Sequence, residues 1–263
     1  MRCITLRRRA FARQGFTLAE VLITLGVIGI VAAITLPSVV GYYKTKELQT
    51  RFKKAYSVLW GVHQRMIQDY DGVYNVFIQR DTNAGSSVDQ SLVAKKYEYI
   101  DAFSKYLDGA RICDYQNAYL LCSSKSFLAT YKTYSGNKNA YLGPDVTKDR
   151  AIVLTDGMCI FFGSASSRNA RIYVDTNGTA KGPNRLGFDL FAFDISNDDK
   201  IIFPKNIGGG SAGAYEDGTV GKVNACSMKE SGNIYNGFGC SEFALVDKNP
   251  DNENLSYWKT LPK

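Results

Sequence analysis

The chain has one histidine, His63, among 263 residues. Ser-His-Asp and Cys-His arrangements therefore have no ready base, and a multi-histidine metal centre is excluded. Its six cysteines include no C-x₂-C pair, so the spacing of a structural zinc site is missing. No acid pair stands out for glycosidase chemistry. The glycine-rich stretch 206–222 lacks the Lys-Ser/Thr that a phosphate-binding loop requires. These absences argue against an enzyme. At 45% hydrophobic and 22% charged, the chain is neither disordered nor a polytopic membrane protein. Acid is absent from the first fifteen residues, which hold five arginines; without those five the net charge of +7 becomes +2. A nucleic-acid binder keeps its positive charge on the folded part, so no nucleic-acid partner is expected.

The longest absence is of charge itself. From Val21 to Tyr43 there are 23 residues without one. A membrane-crossing helix needs ~20 predominantly apolar residues, and this run has no polar stripe of the kind that marks a helix packed on a soluble core. A secretory signal is the rival, but its apolar part is shorter and ends in an A-x-A-like site. No such site follows here. The positive-inside count is a tie, because Lys44, Lys46, Arg51, Lys53 and Lys54 follow the run as closely as the arginines precede it.

Glu20 is the exception at the start of this apolar stretch. A carboxylate at membrane depth is costly and usually has a partner. The run Arg13-Gln14-Gly15-Phe16-Thr17-Leu18-Ala19-Glu20 resembles the cleavage and methylation motif of type IV prepilins and type II secretion pseudopilins. That resemblance implies a membrane peptidase that cuts between Gly15 and Phe16 and methylates the new amine of Phe16. It further implies that residues 1–15 are a leader, that 16–43 anchor the subunit and later form the filament core, and that 44–263 make a pilin-like head. Glu20 and Pro37 are then assembly residues. Glu20 would neutralise a neighbour's α-ammonium, and Pro37 falls where many pilins carry a helix-bending proline. The implied partners are other pilin or pseudopilin subunits, the prepilin peptidase, an inner-membrane assembly platform and the membrane. The implied location is the bacterial inner membrane, single-pass with the head outside the cytoplasm, and then a pilus or pseudopilus. An exposed minor pilin acting as an adhesin or DNA-uptake subunit is the alternative. Gly26 and Gly29 would let neighbouring helices approach closely.

Beyond the apolar run, Leu48, Phe52, Ala55, Tyr56, Leu59, Val62, Met66, Ile67 and Tyr70 recur in steps of three and four, one face of an amphipathic helix. Asp71-Gly72 ends it. Phe16 to Tyr70 thus reads as one helix of 55 residues, ~80 Å long at 1.5 Å per residue. A second helix is expected from Leu92 to Leu107, with Ser87 as its cap and Gly109 as its stop. Residues 110–150 read as irregular. Ala151–Thr155 and Met158–Phe162 flank Asp156-Gly157, a strong hairpin signal. Ala170–Asp175, Asp189–Ile195 and Lys200–Phe203 complete an antiparallel meander of four or five strands against one long helix, an α+β fold.

Cys3 leaves with the leader, and an oxidising compartment would pair four of the remaining five cysteines. Cys113 with Cys122 and Cys226 with Cys240 are the sequence-local candidates, with Cys159 a buried strand thiol. No cofactor is required, and calcium is the one candidate ion. Alternation in Asp189–Ile195 puts Asp189 on the side of Phe191 and Phe193, and an inward carboxylate needs donors or a cation. Asp175, Asn177 and Asp189 offer hard oxygens of the kind Ca²⁺ takes, and the resemblance lends support, since some pseudopilins hold calcium in a loop. The alternative is that Asp189 caps backbone N–H groups of the turn at Gly182–Asn184.

Overall fold

The computed structural model describes residues 15–73, 76–77, 90–113, 131–140, 142, 150–163, 171–195, 202–203, 226–229 and 232–261. The chain divides into two units, Met1–Lys44 and Thr45–Lys263. Helix α1, Leu18–Tyr70, contributes to both. In the first unit every described residue from Gly15 to Lys44 is exposed, Phe16 at 88%. The run has no polar face, so no side of it is matched to water while another is matched to a core. It is the one described helix long and apolar enough to cross a membrane. Pro37 lies inside it and removes the N–H that would bond to the carbonyl of Ala33.

In the second unit α1 changes character. Phe52, Ala55, Leu59, Val62 and Met66, spaced by three and four, are buried, while Lys53 and Lys54 on the other side are exposed. His63 lies beside the stripe and is buried as well. The helix stops where expected. Asp71 and Gly72 take positive φ, and the Gly72 N–H donates to the carbonyl of Ile67 at 3.2 Å. Helix α2, Gln90–Ser104, follows, and its continuation turns over at Gly109, which has φ 70°. The expected cap, Ser87, and the expected loop 83–87 lie outside the described residues.

Six strands form one antiparallel sheet in sequence order: β1 (Arg111–Cys113), β2 (Ala151–Val153), β3 (Cys159–Phe162), β4 (Arg171–Asp175), β5 (Leu190–Ile195) and β6 (Ile202–Phe203). The Asp156-Gly157 hairpin forms, with Ala151 opposite Phe161 and Val153 opposite Cys159. Two readings are corrected. Residues 110–150 are not wholly irregular, because Arg111–Cys113 pair with β2; three residues are too few to display a period of two. The second correction concerns β5, which is buried at all six positions and not on alternate ones. Phe191, Phe193 and Ile195 join the cluster that contains Phe52 and Leu59, whereas Leu190 and Ala192 join a second cluster with Tyr131, Leu186 and Phe238. The sheet is therefore covered on both faces, and a strand buried on both faces loses its polar alternation.

The C-terminal segment, which the sequence reading left unassigned, completes the cluster that contains Phe52: Cys240, Ala244, Tyr257 and Trp258 belong to it. Helix α3, Cys240–Val246, packs on β5, with the Ser241 hydroxyl donating to the carbonyl of Ala192 at 2.6 Å. A 3₁₀ turn, Trp258–Thr260, follows, and the Trp258 indole N–H donates to the carbonyl of Ala244. A disulfide joins Cys226 to Cys240 at the start of α3, closing a separation of 14 residues. Cys159 is a buried thiol. Cys113 is buried at the end of β1, and its expected partner Cys122 lies outside the described residues. Closing a loop of this size restricts the unfolded chain by ~3 kcal/mol in the chain-entropy picture. The double variant Cys226→Ser, Cys240→Ser is expected to lose about that much stability, read as a lower urea midpoint of the full chain in detergent micelles. An unchanged midpoint would mean that α3 is held by its packing alone.

Candidate functional site

The start of α1 has a defined local geometry. The Glu20 carboxylate accepts from the Thr17 N–H and from the Thr17 hydroxyl, both at 2.8 Å, and the Thr17 hydroxyl oxygen accepts from the Glu20 N–H at 3.3 Å. This reciprocal pair is a capping box, in which a Thr and a Glu three residues apart satisfy donors that a helix start leaves unpaired. The sequence reading treated Glu20 as a lone acid and passed over Thr17, although the S/T-x-x-E spacing was legible. Just before the box, Gly15 is exposed with open space around its α-carbon, and Phe16 projects into solvent. Arg13 and Gln14 lie outside the described residues. The structure thus presents Gly15-Phe16 as an accessible peptide immediately before a capped apolar helix.

The second arrangement lies between β4 and β5. Asp175 ends β4 and faces the cluster with Tyr131; its Oδ1 accepts from the N–H groups of Asn177 at 3.1 Å and Gly178 at 2.8 Å, and its Oδ2 accepts from the Tyr131 hydroxyl. Gly178 is required at this turn. It has φ 85°, and an added Cβ would sit 2.5 Å from the carbonyl oxygen of Gly157 in the neighbouring hairpin. Asp189 precedes β5 and belongs to a turn, with its own N–H directed to the carbonyl of Arg185, so strand alternation does not govern its side chain. Its Oδ1 accepts from the N–H of Arg185 and its Oδ2 from that of Asn184, each at 2.7 Å. Asn177 and Asn184 turn their NH₂ groups to the carbonyls of Gly182 and Thr179.

Both carboxylates are fully buried. Burial first, and then the charge of Asp189, push Asp175 up to about 7, against the pull of its hydrogen bonds from Tyr131, Asn177 and Gly178. Burial likewise pushes Asp189 up to about 6, opposed by the donors from Arg185 and Asn184. These are the two acids that the sequence reading grouped with Asn177 as candidate cation ligands. Neither has access to solvent, so they are no hydrolytic dyad.

Calcium would have to displace this donor set. Five N–H and O–H donors already converge on the four carboxylate oxygens, and the two asparagines aim N–H groups at carbonyls that an ion would need. The side-chain oxygens of Asn177, Thr179 and Asn184 are buried without a hydrogen-bond partner, yet they are neutral. Among the described residues no group of three His, Cys, Asp or Glu gathers. This arrangement fits a loop held by hydrogen bonds, in which Asp189 caps the turn at Asn184 and Arg185, better than it fits Ca²⁺ with its six to eight oxygen ligands.

An accessible Gly-Phe peptide, a capped apolar helix able to cross a membrane and an α+β head define a membrane-anchored class of protein. Residues 11–36 match the prokaryotic N-terminal methylation motif, the hallmark of type IV prepilin- and pseudopilin-like proteins. The chain is thus pilin- or pseudopilin-like in its N-terminal segment. No curated protein and no solved structure matches it.

Proposed function

We propose that this chain is a structural subunit of a type IV pilus or a type II secretion-like filament, cut after Gly15, methylated on Phe16 and assembled through residues 16–43. The observation that carries this reading is the apolar helix exposed from Phe16 to Tyr43, with Glu20 near its start, within the matched methylation motif. Before assembly such a helix is stable only in lipid. In a filament the same residues are buried against other copies, with Gly26 and Gly29 allowing close approach. One helix thus serves as anchor and as core, and the head, outside the cytoplasm, forms the filament surface. In this reading the work of the chain is assembly rather than catalysis. The competing role, a ligand-binding minor subunit, would rest largely on loops such as 206–222, which lie outside the described residues, and on a head with little excess charge.

Mass spectrometry of the N-terminal peptide tests the proposal. The expected mature chain begins with N-methyl-Phe16. Gly15→Ala is expected to reduce the processed fraction roughly tenfold or more, the scale on which a close-fitting pocket discriminates one added carbon. A mature protein that keeps Arg7–Arg13, or one cut beyond Val40, contradicts the reading.

A further inference from the structure

Residues 15–17 are not helical and α1 begins at Leu18, so the chain changes conformation within two residues of the Gly15-Phe16 peptide. Composition alone does not set that boundary. Ala10-Phe11-Ala12-Arg13-Gln14 are ordinary helix formers, and Gly15 alone among residues 10–17 is strongly unfavourable. The Thr17 side chain supplies the rest. In a helix continued backwards, the Glu20 N–H would bond the carbonyl of Phe16, four residues earlier; here it donates to the Thr17 hydroxyl oxygen at 3.3 Å. The Thr17 N–H would likewise bond the carbonyl of Arg13; here it donates to the Glu20 carboxylate at 2.8 Å. The carbonyl of Thr17 accepts the first helical bond, from the Val21 N–H at 3.2 Å, as the residue at a helix cap does. Where lipid replaces water an unpaired N–H is costly, so a helix start without such partners gains by winding backwards to find carbonyls. The Thr17–Glu20 pair removes that drive at the residue after Phe16.

Taking the proposed cleavage after Gly15 as given, we infer that Thr17 is a positioning residue for processing: by capping α1 it keeps the Gly15-Phe16 peptide out of the helix, in the open form that a peptidase can engage. Hydrolysis there adds one water across the amide, leaving a carboxylate on Gly15 and an ammonium on Phe16, and the attacking oxygen must reach the carbonyl carbon of Gly15. In a helix that carbonyl would be bonded to the Ala19 N–H, and the turn would have to unwind before attack. With the cap in place no unwinding is required. Gly15 and Thr17 thus have separate tasks. Gly15 leaves room at the cut, where its α-carbon has open space around it, and Thr17 fixes where the helix begins. Thr17 acts through the conformation of its neighbours, not by contact with the attacking water.

The test is the rate at which a limiting amount of prepilin peptidase converts the full chain in membranes, read by mass spectrometry of the N-terminal peptide. Thr17→Val keeps the shape of the side chain and deletes its hydroxyl; it is expected to slow conversion roughly fivefold, the size of one lost helix cap. Thr17→Ser and Thr17→Asn restore a capping oxygen in side chains of different shape and are expected to be cut within about twofold of the wild-type rate. Hydrogen exchange of the uncut chain in micelles supplies the structural readout. The Phe16 amide is expected to exchange more slowly in Thr17→Val than in wild type, because the helix has wound back over it. Conversion of Thr17→Val at the wild-type rate overturns the inference and leaves the cleavage reading intact. Slow conversion of Thr17→Val and Thr17→Asn alike, with the Phe16 amide exchanging as fast as in wild type, overturns it as well, because the peptidase would then be reading the threonine itself. Wild type that is never cut after Gly15 refutes the cleavage reading and the inference together.

Discussion

Glu20→Gln is expected to enter the membrane at least as well as wild type and to be depleted from sheared filaments by roughly 100-fold or more. Insertion improves because an ionised side chain is removed from an apolar helix. The local structure survives, because glutamine can take the glutamate position of a capping box and accept from Thr17. What glutamine cannot do is neutralise a neighbour's α-ammonium. In the proposed filament that amine, on Phe16, would then be buried without its partner, a loss on the order of 3–5 kcal/mol. The variant therefore separates the charge of Glu20 from its capping. If the carboxylate served only to cap the helix, or sat solvated at headgroup level, Glu20→Gln would assemble normally. Counting variant subunits in sheared filaments, beside their amount in the membrane fraction, distinguishes these cases.

The parts of the fold that sequence made legible are those in which one periodic pattern has one cause. The stripe Phe52, Ala55, Leu59, Val62, Met66 is the buried face of α1 because only one side of that helix meets the sheet. Asp156-Gly157 turns a hairpin because the turn itself demands those residues. The uncharged run from Val21 to Tyr43 declares its environment by length alone. What stayed hidden depends on contacts distant in sequence. Arg111–Cys113 is a strand because Ala151–Val153 lies beside it, across residues that carry no strand pattern. The burial of Leu190 and Ala192 depends on Tyr131 and Phe238, both distant in sequence, and Cys240–Val246 is a helix of seven residues, too short to show a period.

The sequence reading grouped Asp175 and Asp189 as cation ligands, and the full set of main-chain donors around them was hidden for a related reason. Asp175 and Asp189 are fourteen positions apart, and the turns that bring them together are built from main-chain N–H groups that any sequence possesses. Asp189 was placed by strand alternation, a rule that ceases to apply one residue outside the strand. Thr17 is a different kind of omission. Its spacing from Glu20 is a known helix-start signal, obscured by the stronger apolar pattern in which it is embedded.

Phe52→Ala is expected to destabilise the head by about 3–5 kcal/mol, the usual cost of truncating a buried phenylalanine. Phe52 has no exposed surface, and its ring lies 4.4 Å from that of Phe191 and 5.6 Å from that of Trp258, centroid to centroid. It therefore joins three elements, α1, β5 and the 3₁₀ turn at the C-terminus, at one point. Deleting the ring leaves a cavity bounded by strand and indole, which cannot collapse without moving α1 off the sheet. Against a total stability of ~5–15 kcal/mol for a typical domain, such a loss is a large fraction. Lys53→Ala, one residue away on the exposed side of the helix, is expected to change stability by no more than about 0.5 kcal/mol. Urea unfolding of the full chain in micelles compares them, with Trp258 fluorescence as the probe in a Trp60→Phe background, since Trp60 also lies on α1. A lower midpoint at unchanged slope is the expected signature of a weakened core. Equal midpoints for the two variants would show that α1 does not close the head around Phe52, and the amphipathic stripe would then have to be buried elsewhere, against another subunit.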